Sequence, residues 1–285
     1  MDDCHILTLT SADGTSLLAR HWEATGPRAT LAIVHGFGEH SGRYGPMANH
    51  LADNGVQVVA ADLRGHGRSE GKRGRVRSYD DFRGDLDALL ARARDLHASV
   101  NGPLVLFGHS MGGGVVLDYG LSGRAEVNGV IASAPLITMA DAPSKGLERV
   151  VRLLAKVLPG GAIKQPIVGD KISTLKAEQD EYVRDALNHG EAGFRLAVEM
   201  VDIGRSIAAR AGEWDLPLLV LHSEDDQLTD FAASRDFADR AGAQFVAMRG
   251  VAHEMHNDTS RPRVYRAVLD FLERPDVRRK KEVTA

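Results

Sequence analysis

An apolar run, Leu104-Val105-Leu106-Phe107, stops at Gly108-His109-Ser110-Met111-Gly112, and a helical pattern begins directly after it at residues 113–121. A buried strand that becomes a helix within so few residues must pass through a sharp, strained corner. Side chains would collide there, so glycines flank it. The residue at the apex, here Ser110, is held with its Oγ clear of the backbone at the edge of a sheet. The next amide, that of Met111, lies at a helix N-terminus and faces any negative charge formed at the serine. The stretch therefore offers a nucleophile, its geometry and half of an oxyanion hole. In a chain with 30 glycines a G-x-S-x-G string is weak by itself, because a Gly-rich turn with a bystander serine reads the same. Its weight comes from the strand before it, the helix after it and the partner residues further along the chain.

The rest of the chain fits a corner of that kind. Residues 6–10 and 16–22 alternate around Asp13-Gly14, which predicts a hairpin. Buried strands are predicted at 30–34, 56–61, 127–133, 216–222 and 244–248, and helices at 46–54, 79–97, 234–241 and 262–273. Strands alternating with helices imply an α/β fold with a mostly parallel sheet covered on both faces. The rhythm breaks over residues 136–210, which read as mostly helical with no clear strand. The simplest account is a sheet domain in two sequence halves, 1–135 and 211–285, with a helical cap inserted at 136–210. The charged tail, Val277 to Ala285, is expected to fray.

Composition narrows the function. The chain has 285 residues, is 43% hydrophobic and 26% charged, and can bury a substantial core. Its net charge of −4 argues against a nucleic-acid partner. The single cysteine, Cys4, allows no internal disulfide and no cysteine-type metal spacing. The first residues, MDDCHILTLT, lack the basic and apolar regions of a signal peptide, and no apolar run is long enough to span a bilayer. A cytoplasmic location is the expectation.

A serine hydroxyl is a poor nucleophile unless a base takes its proton, and the base needs an orienting acid. On this kind of sheet the partners follow in the order Ser, Asp/Glu, His, on loops after later strands. Ser223-Glu224-Asp225-Asp226 follows the strand 216–222, and Gly250-Val251-Ala252-His253 follows the strand 244–248. The plain alternative for His253 is one surface histidine among 12. The residues alone leave the acid open among Glu224, Asp225 and Asp226. A second donor to the oxyanion is expected from the loop after the third strand, where the Phe37 N–H of His35-Gly36-Phe37-Gly38 is the candidate. A simple Gly-rich turn is the alternative there.

Three stretches carry a family resemblance. They are His35-Gly36-Phe37-Gly38-Glu39-His40-Ser41-Gly42-Arg43-Tyr44, Asp62-Leu63-Arg64-Gly65-His66-Gly67-Arg68-Ser69-Glu70-Gly71 and Gly108-His109-Ser110-Met111-Gly112-Gly113. Together they resemble the monoacylglycerol lipase branch of the α/β-hydrolases, over most of the chain and least in the cap. The resemblance implies an α/β-hydrolase fold, with Ser110 as nucleophile, Asp226 as acid, His253 as base and the Phe37 and Met111 amides as oxyanion hole. It also implies that Glu39, Arg43, His256 and Tyr182 read glycerol hydroxyls. A structural Glu39–Arg43 ion pair pinning the loop is the alternative for two of them. The implied activity is hydrolysis of monoacylglycerols to glycerol and fatty acid through an acyl-enzyme, without metal or organic cofactor. Alternatives are a lysophospholipase or broad-specificity carboxylesterase on the same triad, a non-catalytic ligand-binding relative, and non-hydrolytic chemistry such as peroxidation.

Other conspicuous residues read as structural. His66 and Arg68 shape their loop, and His109 points away from the reaction. The segment 147–158 places Leu147, Val150, Val151, Leu154, Val157 and Leu158 on one helical face and Lys145, Glu148, Arg149, Arg152 and Lys156 on the other. It reads either as a cap helix covering the site or as a basic amphipathic lid that docks on membranes or lipid droplets. An apolar cap rim would also serve a homodimer, so monomer and dimer both remain open.

Overall fold

The structure, a computed structural model, describes residues 4–166 and 169–278. The chain opens with the hairpin β1 (His5–Thr10) and β2 (Ser16–Trp22), then β3 (Ala29–Val34), α1 (Gly45–Asp53), β4 (Val56–Ala61), α2 (Asp80–His97), β5 (Leu104–His109), α3 (Met111–Leu121) and β6 (Gly129–Ser133). The stretch before the sheet resumes holds α4 (Lys145–Val157), β7 (Ala162–Lys164), α5 (Lys176–Arg184), β8 (Glu191–Gly193) and α6 (Phe194–Ala209). The chain then continues with β9 (Leu218–Ser223), α7 (Phe231–Arg240), β10 (Gln244–Met248), α8 (Arg261–Glu273) and α9 (Pro275–Arg278).

Eight strands form one sheet in the order β1-β2-β4-β3-β5-β6-β9-β10. The two pairings made by β2 are antiparallel and the rest are parallel. The central strands are apolar on both faces because both faces are covered. Ala32, Val34, Leu106, Val130 and Val220 pack with α2, α3, α6 and α7, while Leu31, Ile33, Val105, Ile131 and Leu219 pack with α1 and α8. Alternation along each strand thus feeds two cores. The register also aligns the strand ends: Val34 pairs with Gly108, Gly108 with Ala132, Ser133 with Leu221, and Ser223 with Met248. The loops after β3, β5, β9 and β10 therefore emerge at one edge of the sheet.

Three features differ from expectation. The stretch 136–210 holds a two-stranded antiparallel ribbon, β7 with β8, as well as helices. Three residues per strand are too few to show a period in the sequence. The tail does not fray at Val277, whose side chain is fully buried and whose N–H bonds Arg274 O at 3.1 Å. Pro275 starts the short helix that carries it, while residues 279–285 lie outside the described residues. The third feature is α4, which faces the opposite way from a covering helix. Its Glu148 and Arg152 turn toward α6, where Glu148 pairs with Arg205 at 2.7 Å and Arg152 pairs with Asp202. Leu147, Val150, Leu153, Val157 and Leu158 are each more than half exposed, and Ala155 is the helix's one buried side chain. No helix among the described residues is long and apolar enough to cross a membrane.

Candidate active site

Ser110 occupies the corner between β5 and α3 with φ 53° and ψ −117°, a conformation that costs on the order of 1–3 kcal/mol in a non-glycine residue. Backbone bonds hold it there. Its N–H donates to Ser133 O at 2.9 Å, and its carbonyl accepts from Leu136 at 2.8 Å and Gly114 at 3.0 Å. The flanking glycines are required by close approach. A Cβ on Gly108 would stand 2.3 Å from Gly112 O, and one on Gly112 would stand 2.3 Å from Val34 O.

The three consecutive acids have three different partners. Glu224 pairs with Arg249 at 2.7 Å, and Asp225 accepts from the Gly250 amide at 2.6 Å. Asp226, fully buried, accepts from His253 Nδ1 at 2.7 Å. Burial works against the charge on Asp226, but His253 and His222 outweigh it and hold the carboxyl well below its usual range. Burial likewise opposes a charged His253, and the Asp226 carboxylate reverses that and raises the imidazole above its ordinary value. His109 is buried and packs at 4.6 Å between ring centroids against His253, where burial lowers its pKa.

Ser110 and His253 line one cavity of about 220 Å³ with Phe37, Glu39, Tyr182, His189 and Glu254. Its wall from residues 136–210 comes from α5, β8, α6 and the neighbouring loops; α4 contributes nothing to it. On the other side, Gly36 approaches so closely that an added Cβ would lie 3.2 Å from Ser110 Cβ. Among the described residues, no internal hydrogen bond uses the N–H of Phe37 or Met111. The Phe37 ring stands edge-on to His66 and His189, which fixes the loop that carries its amide.

A polar cluster lies beside the serine. Glu39 Oε1 accepts from Gly36 N at 2.5 Å and from Tyr44 OH at 2.9 Å. Glu39 Oε2 and Arg43 Nε stand 3.6 Å apart, and neither has a hydrogen-bond partner. Arg43 Nη2 instead donates to Glu254 Oε2 at 2.6 Å, and the guanidinium lies 4.7 Å over the Tyr182 ring. Burial and the neighbouring Glu254 push Glu39 up to about 7, whereas Arg43 overcomes the burial of Glu254 and keeps it low. His256 is fully buried, stacks on Tyr44 at 4.8 Å and is pushed down to about 4 by burial. Glu39 and Tyr182 line the cavity; Arg43 and His256 stand behind its wall.

Glu254 and His222 are the residues that sequence reasoning missed. Glu254 follows His253 directly, and its partner Arg43 is 211 positions away, so only the fold brings them together. His222 ends β9 and bonds Asp226 Oδ2 at 3.1 Å. An ionisable side chain in an otherwise apolar strand was the available signal, since such a group needs a partner when buried.

The family described as serine aminopeptidase, S33, matches residues 25–260. The monoacylglycerol lipase of Mycolicibacterium smegmatis is 32% identical over 252 residues, covering 87% of this chain and 89% of that protein. The monoglyceride lipase of Rattus norvegicus is 30% identical over 92% of this chain and 86% of its own length. The crystal structure of the Paleococcus ferrophilus monoacylglycerol lipase superposes with a TM-score of 0.80 at 26% identity, covering 90% of this chain and 98% of that one. The chain belongs to the serine aminopeptidase S33 family, in the monoacylglycerol lipase branch of the α/β-hydrolases.

Proposed function

We propose that this chain is a serine hydrolase that cleaves the ester bond of monoacylglycerols, releasing glycerol and a fatty acid. Ser110 Oγ attacks the ester carbonyl while His253 Nε2 takes its proton, and Asp226 stabilises the imidazolium. The Phe37 and Met111 amides hold the oxyanion. Collapse of the tetrahedral intermediate expels the glycerol alkoxide, which receives the proton from His253 and leaves an acyl-Ser110 ester. Water, deprotonated by His253, attacks that ester; the fatty acid leaves and Ser110 regains its proton.

One observation carries the substrate reading. Glu39 Oε2 is a buried acceptor without a partner, 3.6 Å from the unpartnered Arg43 Nε, beside the cavity that holds Ser110. A glycerol hydroxyl in the cavity can donate to the Glu39 carboxylate, which lines it, while Arg43 behind the wall holds that carboxylate in place. Tyr182 bounds this end of the cavity, and His256 supports Tyr44 and the cluster from behind. The similar proteins named as monoacylglycerol lipases support the same assignment.

The insertion, residues 136–210, is read as a cap over the core formed by 1–135 and 211–285. Helix α4 is read as its lipid-facing element, because its apolar stripe is exposed and the exposed Lys145, Arg149 and Lys156 flank it. The test uses a fluorophosphonate probe. Ser110 is expected to label, Ser110→Ala is expected not to, and 1-oleoylglycerol is expected to protect against labelling far better than lysophosphatidylcholine. Equal protection by both lipids would remove the glycerol reading and keep the serine.

A further inference from the structure

The geometry points to His222 as a positioning residue of the triad: it shares the Asp226 carboxylate with His253 and sets how strongly that carboxylate draws a proton onto the base. This rests on the Ser110–His253–Asp226 reading above. Asp226 Oδ2 accepts from His253 Nδ1 at 2.7 Å and contacts His222 Nε2 at 3.1 Å. The side chains of both His222 and Asp226 are fully shielded from solvent. A carboxylate only accepts, so the His222 proton sits on Nε2. Its Nδ1 has no hydrogen-bond partner.

The other neighbours do not replace this donor. The Leu228 and Thr229 amides bond the opposite oxygen, Oδ1, at 2.8 and 3.2 Å. The Thr229 hydroxyl has one proton, and it lies 2.9 Å from Oδ2 and 3.1 Å from Ala134 O, so two acceptors compete for it. His222 Nε2, with the Thr229 hydroxyl oxygen 3.3 Å away as its other neighbour, is thus a second donor to the oxygen that His253 uses. A second donor stabilises the negative charge on Oδ2 and weakens its pull on the His253 proton. It also holds the carboxylate plane, because Phe231 packs edge-on against the His222 ring at 5.7 Å. Around His253 itself stand Asp226, the neutral His109 of β5, Glu254 beside it in sequence and Glu39 from the loop after β3.

Three variants test the proposal against 1-oleoylglycerol. Gln at position 222 keeps an amide donor at the reach of Nε2, Asn withdraws it by one bond, and Leu removes it. His222→Gln is expected to keep the pH profile. His222→Asn and His222→Leu are expected to lose roughly tenfold in kcat and to move the acid limb of kcat/KM up by roughly one pH unit. The low-field proton resonance of the His253–Asp226 bond is expected to shift in the same two variants. A folded His222→Leu or His222→Asn protein with an unmoved limb and resonance overturns the proposal, whatever its rate. Equal loss in all three variants with an unmoved limb also overturns it, since that is the mark of packing alone. Ser110→Ala is measured alongside. If it retains full activity the triad reading fails, and that result is distinct from failure of the His222 assignment.

Discussion

Two side chains carry charges that the fold has displaced from their ordinary values. His253, the proposed base, can take a proton only when neutral, and Asp226 raises its affinity for a proton against the effect of burial. The rate is therefore lost as pH falls through a raised pKa. The acid limb of kcat/KM is expected above the ordinary imidazole value of about 6.5; a limb below it would contradict the assigned base. Replacing Asp226 by Asn is expected to lower kcat by about 10⁴-fold, while Asp225→Asn, which touches only the Gly250 amide, retains activity. The three acids read alike in sequence because their separation depends on where Arg249, Gly250 and His253 return to the same edge. Glu39 gives a stability prediction. Its folded pKa of about 7 exceeds the 4.5 of an ordinary glutamate, as in the unfolded chain, so the folded state binds its proton more tightly. That contribution is fully present below 4.5 and is lost as pH rises through about 7. Thermal melts of wild type and Glu39→Gln from pH 5 to pH 8 check it, and the variant is expected to lose less stability over that range.

Among the elements, the β5–α3 corner is the most demanding. Gly112→Ala forces a methyl against the Val34 and His35 carbonyls and is expected to cost about 3 kcal/mol, read as a fall in the denaturant midpoint. The corner was legible because its constraint is local: an apolar run, glycines and a helix in sequence. The stretch 136–210 was less so. Its ribbon pairs residues 162–164 with 191–193, and no local pattern encodes that pairing. The amphipathicity of α4 was legible, but its orientation was not, because burial of Glu148 and Arg152 against α6 depends on Asp202 and Arg205. Val150→Asp is expected to leave thermal stability nearly unchanged, since Val150 is 54% exposed, and to weaken binding to anionic phospholipid vesicles in a flotation assay. Unchanged vesicle binding would remove α4 from the lipid-docking role.

At the scale of the molecule, strand register assembles the site. Because the ends of β3, β5, β6, β9 and β10 align, four loops spread from residue 35 to residue 254 meet at one edge. The positions of Ser110 and His253, the proposed nucleophile and base, were legible because this topology places them after predictable strands. The Arg43–Glu254 pair and the His222–Asp226 contact were not, since each depends on side chains meeting across the finished edge. The two cores that hold the edge are buried on both faces, so Leu221→Ala is expected to cost about 3 kcal/mol in chemical denaturation. The most direct test of the whole account is turnover of 1-oleoylglycerol beside lysophosphatidylcholine, tributyrin and p-nitrophenyl butyrate, with Ser110→Ala as control. A clear preference in kcat/KM for 1-oleoylglycerol, abolished by the alanine variant, is expected. Turnover confined to p-nitrophenyl butyrate, or activity that survives the loss of Ser110, would contradict it.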